Sequence, residues 1–177
     1  MSPGDDSGFE SDETEVDRLL REIHSGVEVP VLLPIVRGAL DAMEWSYTEP
    51  DGDGLVCEMA GEHTVYSFLF RVDEKLEIVC CYARVGFRVP AEKRLQVCEA
   101  LTRANYGLRV GNFEMDMEDG EIRYKASVDM EGGVLGETMV QNLVRASVAG
   151  FDRYYPAVMR VVYAGTSPAE AVAEAER

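Results

Sequence analysis

Basic residues are scarce in this chain: 17 Lys and Arg stand against 33 Asp and Glu, for a formal net charge of −16 at pH 7. That balance sets aside nucleic acid and anionic membrane as partners, because like charge would approach like charge with no counterion release to help. Histidine is rarer still. His24 and His63 are the only two, and neither has ligand-spaced neighbours or a partner suited to acid–base work. The four cysteines, at positions 57, 80, 81 and 98, lack CxxC spacing and read as small buried residues of a reducing compartment. No apolar run approaches the ~18–20 residues that cross a bilayer, and the first residues lack the basic start and apolar centre of a secretory signal. A cytoplasmic location is therefore expected.

Catalytic signatures are missing as well. There is no Gly-x-Ser-x-Gly elbow, no phosphate-cradling GxxxxGK and no strand–GxGxxG–helix unit. The pairs Asp51/Asp53 and Glu118/Asp119 lie at turns, where carboxylates are solvated rather than tuned apart for acid and base roles. The stretch Glu49-Pro50-Asp51-Gly52-Asp53-Gly54 looks superficially like a calcium loop, but its twelfth position is Ala60 rather than a bidentate Glu. No catalytic residue, cofactor or metal ligand is indicated.

What is present is one domain's worth of patterned sequence, since 177 residues can bury a sizeable core. Residues 1–13 are rich in Gly, Ser, Asp and Glu, with Phe9 their one large apolar side chain, and read as a disordered acidic tail. A short amphipathic helix over 14–25, with Leu19, Leu20 and Ile23 apolar, and a linker to 29 are expected next. The domain proper spans 30–177. Pro34 suits a first helical turn, and Val36, Ala39, Leu40 and Met43 repeat at helical spacing. A short strand at 45–48 and three more over 55–60, 64–72 and 76–85 follow. Pro90-Ala91-Glu92 opens a helix whose apolar side is Leu95, Val97, Cys98, Leu101 and Ala104, ending at Asn105-Tyr106-Gly107.

Two hairpins carry register information. Turning the chain about Asp73-Glu74-Lys75 sets Phe70 opposite Ile78, Phe68 opposite Cys80 and Tyr66 opposite Tyr82. The other face then pairs Arg71 with Glu77, Leu69 with Val79 and Val65 with Ala83. In the second hairpin Asp119-Gly120 reads as a two-residue loop, whose central positions favour positive φ. It sets Met117 against Ile122, Met115 against Tyr124 and Phe113 against Ala126, with Asp116 facing Arg123 and Glu114 facing Lys125 on the other side. A one-residue slip would exchange the faces. Leu108 and Val110 have the opposite parity to Phe113, so a bulge or kink is expected at Gly111-Asn112.

A long helix over 137–163 carries one stripe through Val140, Val144, Val148, Phe151, Tyr155, Val158 and Val162. A second runs beside it through Met139, Leu143, Ala146, Tyr154 and Val161. Pro156 lacks an N–H and crowds the carbonyl of Asp152, so a bend or break is expected there. Ser167 followed by Pro168 marks the cap of a last short helix. The order is helix, four strands, helix, two strands, helix. It predicts an α+β fold, an antiparallel twisted sheet with helices packed on one face.

Gly107, the strand start Gly111-Asn112-Phe113, Tyr154-Tyr155-Pro156, and Val161-Val162-Tyr163-Ala164-Gly165 with Ser167-Pro168-Ala169-Glu170-Ala171 together resemble the YbjN family of bacterial proteins, described as sensory-transduction regulators. The resemblance covers roughly 31–176 and is densest over 90–172. It implies a fold similar to type III secretion chaperones, which bind other polypeptides and are commonly dimeric. It brings no catalytic residue.

The expected function is thus a non-enzymatic module that binds another polypeptide or a second copy of itself. The candidate contact residues are Val65, Leu69, Val79 and Cys81, on the apolar second face of the sheet, and Met139, Leu143 and Tyr154 of the helix's second stripe. The N-terminal helix could instead cover that sheet face. A small-ligand sensor with a pocket near Trp45, Tyr66 and Tyr82 is the alternative.

Overall fold

The structure, a computed structural model, describes residues 31–50, 52 and 54–177. The chain divides into two units, 1–31 and 32–177. Only Val31 of the first is described, so the acidic tail, the expected helix over 14–25 and its covering of the sheet lie outside the described residues, as does His24.

The second unit opens with helix α1, Leu32–Ala42. Its first N–H groups have no acceptors within the helix. Glu74, distant along the chain, supplies them: its carboxylate accepts from the backbone N–H of Leu32 at 3.0 and 3.1 Å and of Leu33 at 2.9 Å. Val36, Ala39 and Leu40 of α1 are buried, as their spacing requires. Left-handed Glu44 then turns the chain, with φ of 58°, into strands β1 (Tyr47–Thr48), β2 (Gly54–Ala60), β3 (Val65–Asp73) and β4 (Ile78–Arg88). A 3-10 turn, Ala91–Lys93, leads into α2 (Arg94–Gly107), followed by β5 (Asn112–Met115) and β6 (Glu121–Asp129). Helix α3 (Glu137–Met159), a widened π turn (Arg160–Ala164) and α4 (Pro168–Ala175) complete the unit. The strands form a single antiparallel sheet in the order β1-β2-β3-β4-β6-β5. The buried side chains of all four helices join those of one sheet face in one core.

The second hairpin keeps the expected faces but not the expected partners. Phe113 opposes Tyr124, Glu114 opposes Arg123 and Met115 opposes Ile122, a slip of two residues. The loop is longer than Asp119-Gly120 alone: Asp116 N–H donates to the Glu121 carbonyl, and Gly120 N–H to that of Asp116. The turn is also sewn to the exit of β4. Val89 N–H donates to the Gly120 carbonyl at 2.9 Å, and a Cβ at Gly120 would lie 2.3 Å from the Val89 carbonyl oxygen. An even slip preserves parity, so Phe113 and Tyr124 still pack edge to face, 4.9 Å apart, in the core. The kink expected before this strand is at Gly111, with φ of 75°.

The first hairpin departs by three residues, and an odd slip inverts β4. Asp73 pairs with Ile78, Arg71 with Cys80, Leu69 with Tyr82 and Ser67 with Arg84. The cause is the turn. Asp73 Oδ1 accepts from the N–H groups of Lys75 and Leu76, and Glu77 takes a left-handed φ of 53°. These features close a four-residue loop where three residues were expected. Val79, Cys81, Ala83 and Val85 therefore face the core, and Ile78, Cys80, Tyr82 and Arg84 face away.

Helix α3 does not break at Pro156; it runs on to Met159 and then loosens into the π turn. Its buried face lies between the two expected stripes, along Val140, Leu143, Val144, Ser147, Gly150, Phe151, Tyr154 and Ala157. In α2 the buried line is Val97, Ala100, Leu101 and Ala104, and Leu95 is 78% exposed. Ser167 caps α4 as expected, its Oγ accepting from Glu170 N–H at 3.3 Å.

Candidate functional site

Side chains alternate between sheet faces along each strand, so the register fixes what the helix-free face presents. Its rows read directly across the strands. One row runs Glu58, Ser67, Arg84, Arg123, Glu114. The next runs Thr48, Val56, Leu69, Tyr82, Lys125, Asn112. A third holds Arg71, Cys80 and Ser127, and a fourth Asp73, Ile78 and Asp129. Among the described residues no helix packs on this face. Val56, Leu69, Ile78, Cys80 and Tyr82 are only half-buried there. An apolar strip beside a mixed-charge row results.

Charge balances across these rows, Arg71, Arg84, Arg123 and Lys125 standing against Glu58, Asp73, Glu114 and Asp129, and three of the cations gather on β4 and β6. Glu114 accepts from Arg123 Nε at 2.7 Å and lies 3.8 Å from Lys125 Nζ. The Arg123 guanidinium also sits over the Tyr82 ring, 4.8 Å from its centroid, a cation–π contact that fixes both side chains. Burial, and then neighbouring Cys80, hold the Tyr82 hydroxyl above its ordinary pKa. Arg84 lies directly opposite Arg123, and its Nε is buried without a hydrogen-bond acceptor.

The expected contact residues separate. Val65, 53% exposed, and Leu69 are on the helix-free face. Val79 and Cys81 are not: both are fully buried in the core, a consequence of the inverted β4. Of the helix residues, Met139 is exposed, whereas Leu143 and Tyr154 are buried, because α1 and α4 both pack on α3. Tyr154 is held in place by its hydroxyl, which donates to Glu176 Oε1 at 2.9 Å. The residues that the sequence reading missed are Val56, Ile78, Cys80 and Arg84. Arg84 carried the signal that could have found them, since the expected register would have turned it into the core.

On the helix-covered side the aromatic residues expected to line a pocket are packed into the core. Trp45 packs on Phe68, 5.5 Å between centroids, and Tyr66 stacks on Phe151 at 5.2 Å. The Tyr66 hydroxyl donates to Asp152 Oδ1, which also accepts from Glu62 N–H at 2.9 Å. Burial, and then that bond, raise its pKa. Tyr82 lies on the opposite face of the sheet, so these three aromatic side chains cannot line one pocket. Cys57 and Cys81 are buried thiols whose pKa values burial pushes up to about 12; they are poor nucleophiles. Among the described residues no group of three or more His, Cys, Asp or Glu side chains could hold a metal ion, and no helix is long and apolar enough to cross a membrane.

The family model for YbjN, “Putative bacterial sensory transduction regulator”, matches residues 33–160, 128 of the 177. The chain belongs to the YbjN family. The crystal structure of YbjN from E. coli, named there as a candidate transcription regulator, superposes with a TM-score of 0.54 at 18% identity, over 77% of this chain and 93% of that one. The α+β architecture is thus that of a YbjN protein. The HopA1–SchA chaperone–effector complex matches at a TM-score of 0.42 and 17% identity, over 68% of this chain and 88% of that one. That likeness is too distant to carry an argument. No curated protein matches the sequence.

Proposed function

We propose that this YbjN protein is a non-enzymatic polypeptide-binding module of regulator or chaperone type, and that its working surface is the helix-free face of the sheet. One observation carries the reading. The four helices cover one face, while the other presents Val56, Leu69, Ile78 and Tyr82 beside Arg84, Arg123 and Lys125 with no described element on them. Contiguous apolar surface rimmed by polar groups is what association sites look like. The family's description as a regulator fits a protein that acts by binding, and no group of polar side chains converges for catalysis among the described residues. Val65 extends the candidate surface, whereas Met139, exposed on α3, belongs to the helix-covered side.

Leu69→Asp tests this reading. It places a charge in the apolar strip without touching the core. Native lysate passed over immobilised wild type should leave a stoichiometric polypeptide that the variant fails to retain. Equal retention by both proteins, or none by wild type, would overturn the assignment. Light scattering on the same two proteins distinguishes a second copy of the chain as occupant, since only the wild type would then dimerise.

A further inference from the structure

We infer that the occupant of this face is an acidic polypeptide segment in extended conformation, with a carboxylate side chain two residues from an apolar one. The inference rests on the surface assignment above and goes further, to the partner's chemistry. Like charges directly opposed across a sheet are destabilising, yet Arg84 and Arg123 face each other on neighbouring strands. Arg123 is anchored by Glu114 and by the Tyr82 ring. Among the described residues Lys125 has the same carboxylate alone within ion-pair distance, at 3.8 Å. Arg84 has no acceptor at its buried Nε. Arg123 and Lys125 therefore share the Glu114 carboxylate, and among the described residues Arg84 beside them has no carboxylate within ion-pair distance, in a chain whose net charge is −16. A guest carboxylate between the Arg84 and Arg123 side chains would neutralise their repulsion, and a charge-assisted hydrogen bond of that kind is strong.

The neighbouring row supplies the second half of the recognition. Val56, Leu69 and Tyr82 lie two residues along their strands from Glu58, Ser67 and Arg84 respectively, a spacing of about 6.6 Å. An extended guest aligned with the strands presents its own i and i+2 side chains on one side at that same spacing. A carboxylate over Arg84 then places the second side chain over Leu69 and Tyr82. Polynucleotide is disfavoured as the anion, because the cationic patch is confined to two neighbouring strands of a strongly acidic protein.

The test is selection of a random twelve-residue display library on the immobilised full chain at low salt. Affinities of the recovered peptides are then measured by fluorescence anisotropy. Recovered peptides should be enriched in Asp or Glu two positions from Leu, Ile, Phe or Tyr. Replacing that acid by its amide should weaken binding about tenfold or more, as should Arg84→Gln in the protein. Arg103→Gln, whose side chain pairs with Glu99 within α2, should not. Arg84→Gln should leave the melting temperature unchanged or raised, because it removes a like-charge pair. Peptides that lack the acid and bind Arg84→Gln normally, but lose Leu69→Asp, overturn the acidic guest and leave the surface assignment standing. Peptides that bind Leu69→Asp as tightly as wild type, or no recovered peptide at all, overturn both.

Discussion

Two adjacent cysteines give the strictest test of the β4 register. Cys81 is fully buried, paired across the sheet with Phe70 and Ala126; Cys80 is half-buried on the opposite face, paired with Arg71 and Ser127. The same change, Cys→Asp, should therefore have opposite consequences at the two sites. At 81 the carboxylate enters the core with no cation near it. An uncompensated buried charge of this kind costs roughly 3–5 kcal/mol, a large share of the ~5–15 kcal/mol that holds a domain folded. At 80 the carboxylate emerges opposite Arg71, and the change should fall within about 0.5–1 kcal/mol of zero. Urea unfolding at pH 7, followed by far-UV circular dichroism, reads both. With a slope of about 1–3 kcal/mol per M, the Cys81→Asp midpoint should fall by roughly 2 M while that of Cys80→Asp barely moves. The deficit at 81 should also shrink on acidification, since the neutral carboxyl is the cheaper form to bury. A costly Cys80→Asp with a harmless Cys81→Asp would restore the three-residue loop and refute the register.

Gly150→Ala should destabilise despite the roughly 1 kcal/mol that alanine gains over glycine in a helix. A Cβ there would lie 2.4 Å from the Tyr124 ring, whose hydroxyl is tied to the Val110 carbonyl, so overpacking of about 1–3 kcal/mol should dominate; a raised melting temperature would show room at the helix–sheet contact. Asp152→Ala strands the Tyr66 hydroxyl and should cost about 1–3 kcal/mol. Adding Tyr66→Phe should then cost little more, and a double-mutant cycle with no coupling would contradict the bond. Alkaline stability follows from three buried acids. Cys57 and Cys81 are raised from 9.0 to about 12 and Tyr124 from 10.0 to about 12, all by burial. Their folded-state pKa values lie above the unfolded ones, so their contribution is intact below pH 9 and is lost as the pH rises towards 12. Denaturation midpoints that stay level from pH 9 to 11.5 would contradict it.

Parity was easier to read than partnership. In the β5–β6 hairpin, alternation alone put Phe113, Met115, Ile122 and Tyr124 on one face. It could not reveal that Gly120 is pinned against Val89, which lengthens the loop and moves every pair by two. In the β3–β4 hairpin the loop contains no glycine, so the left-handed residue fell on Glu77, where local pattern gives no warning. An odd error there carried Val79 and Cys81 to the wrong face. The helix stripes went astray for another reason. Apolar periodicity weights large side chains, whereas the buried line of α3 includes the small residues Ser147, Gly150 and Ala157, and Gly150 leaves room for the Tyr124 ring. The face proposed for interaction was legible as an excess of apolar residues but not as a specific set. Its membership depends on long-range register.

The two sides of the sheet differ in how completely their polar groups are used. On the helix side each deeply buried tyrosine has its acceptor: Tyr66 in Asp152, Tyr124 in the Val110 carbonyl and Tyr154 in Glu176. Ser147 donates to the Leu143 carbonyl at 2.8 Å, and even edge strand β5 is bound to α2 through both polar atoms of the Asn105 amide. Such pairing is what a stable interior requires, and the buried Glu174 Oε2, which has no hydrogen bond, is met there by the Arg160 guanidinium. On the other face Arg84 and Arg123 oppose each other and Arg84 Nε has no acceptor, an opposition of like charges that is unfavourable to the isolated fold. A cost to the isolated fold that a bound partner would remove is the physical mark of a surface kept for association. That argues for placing the protein's activity on its helix-free face.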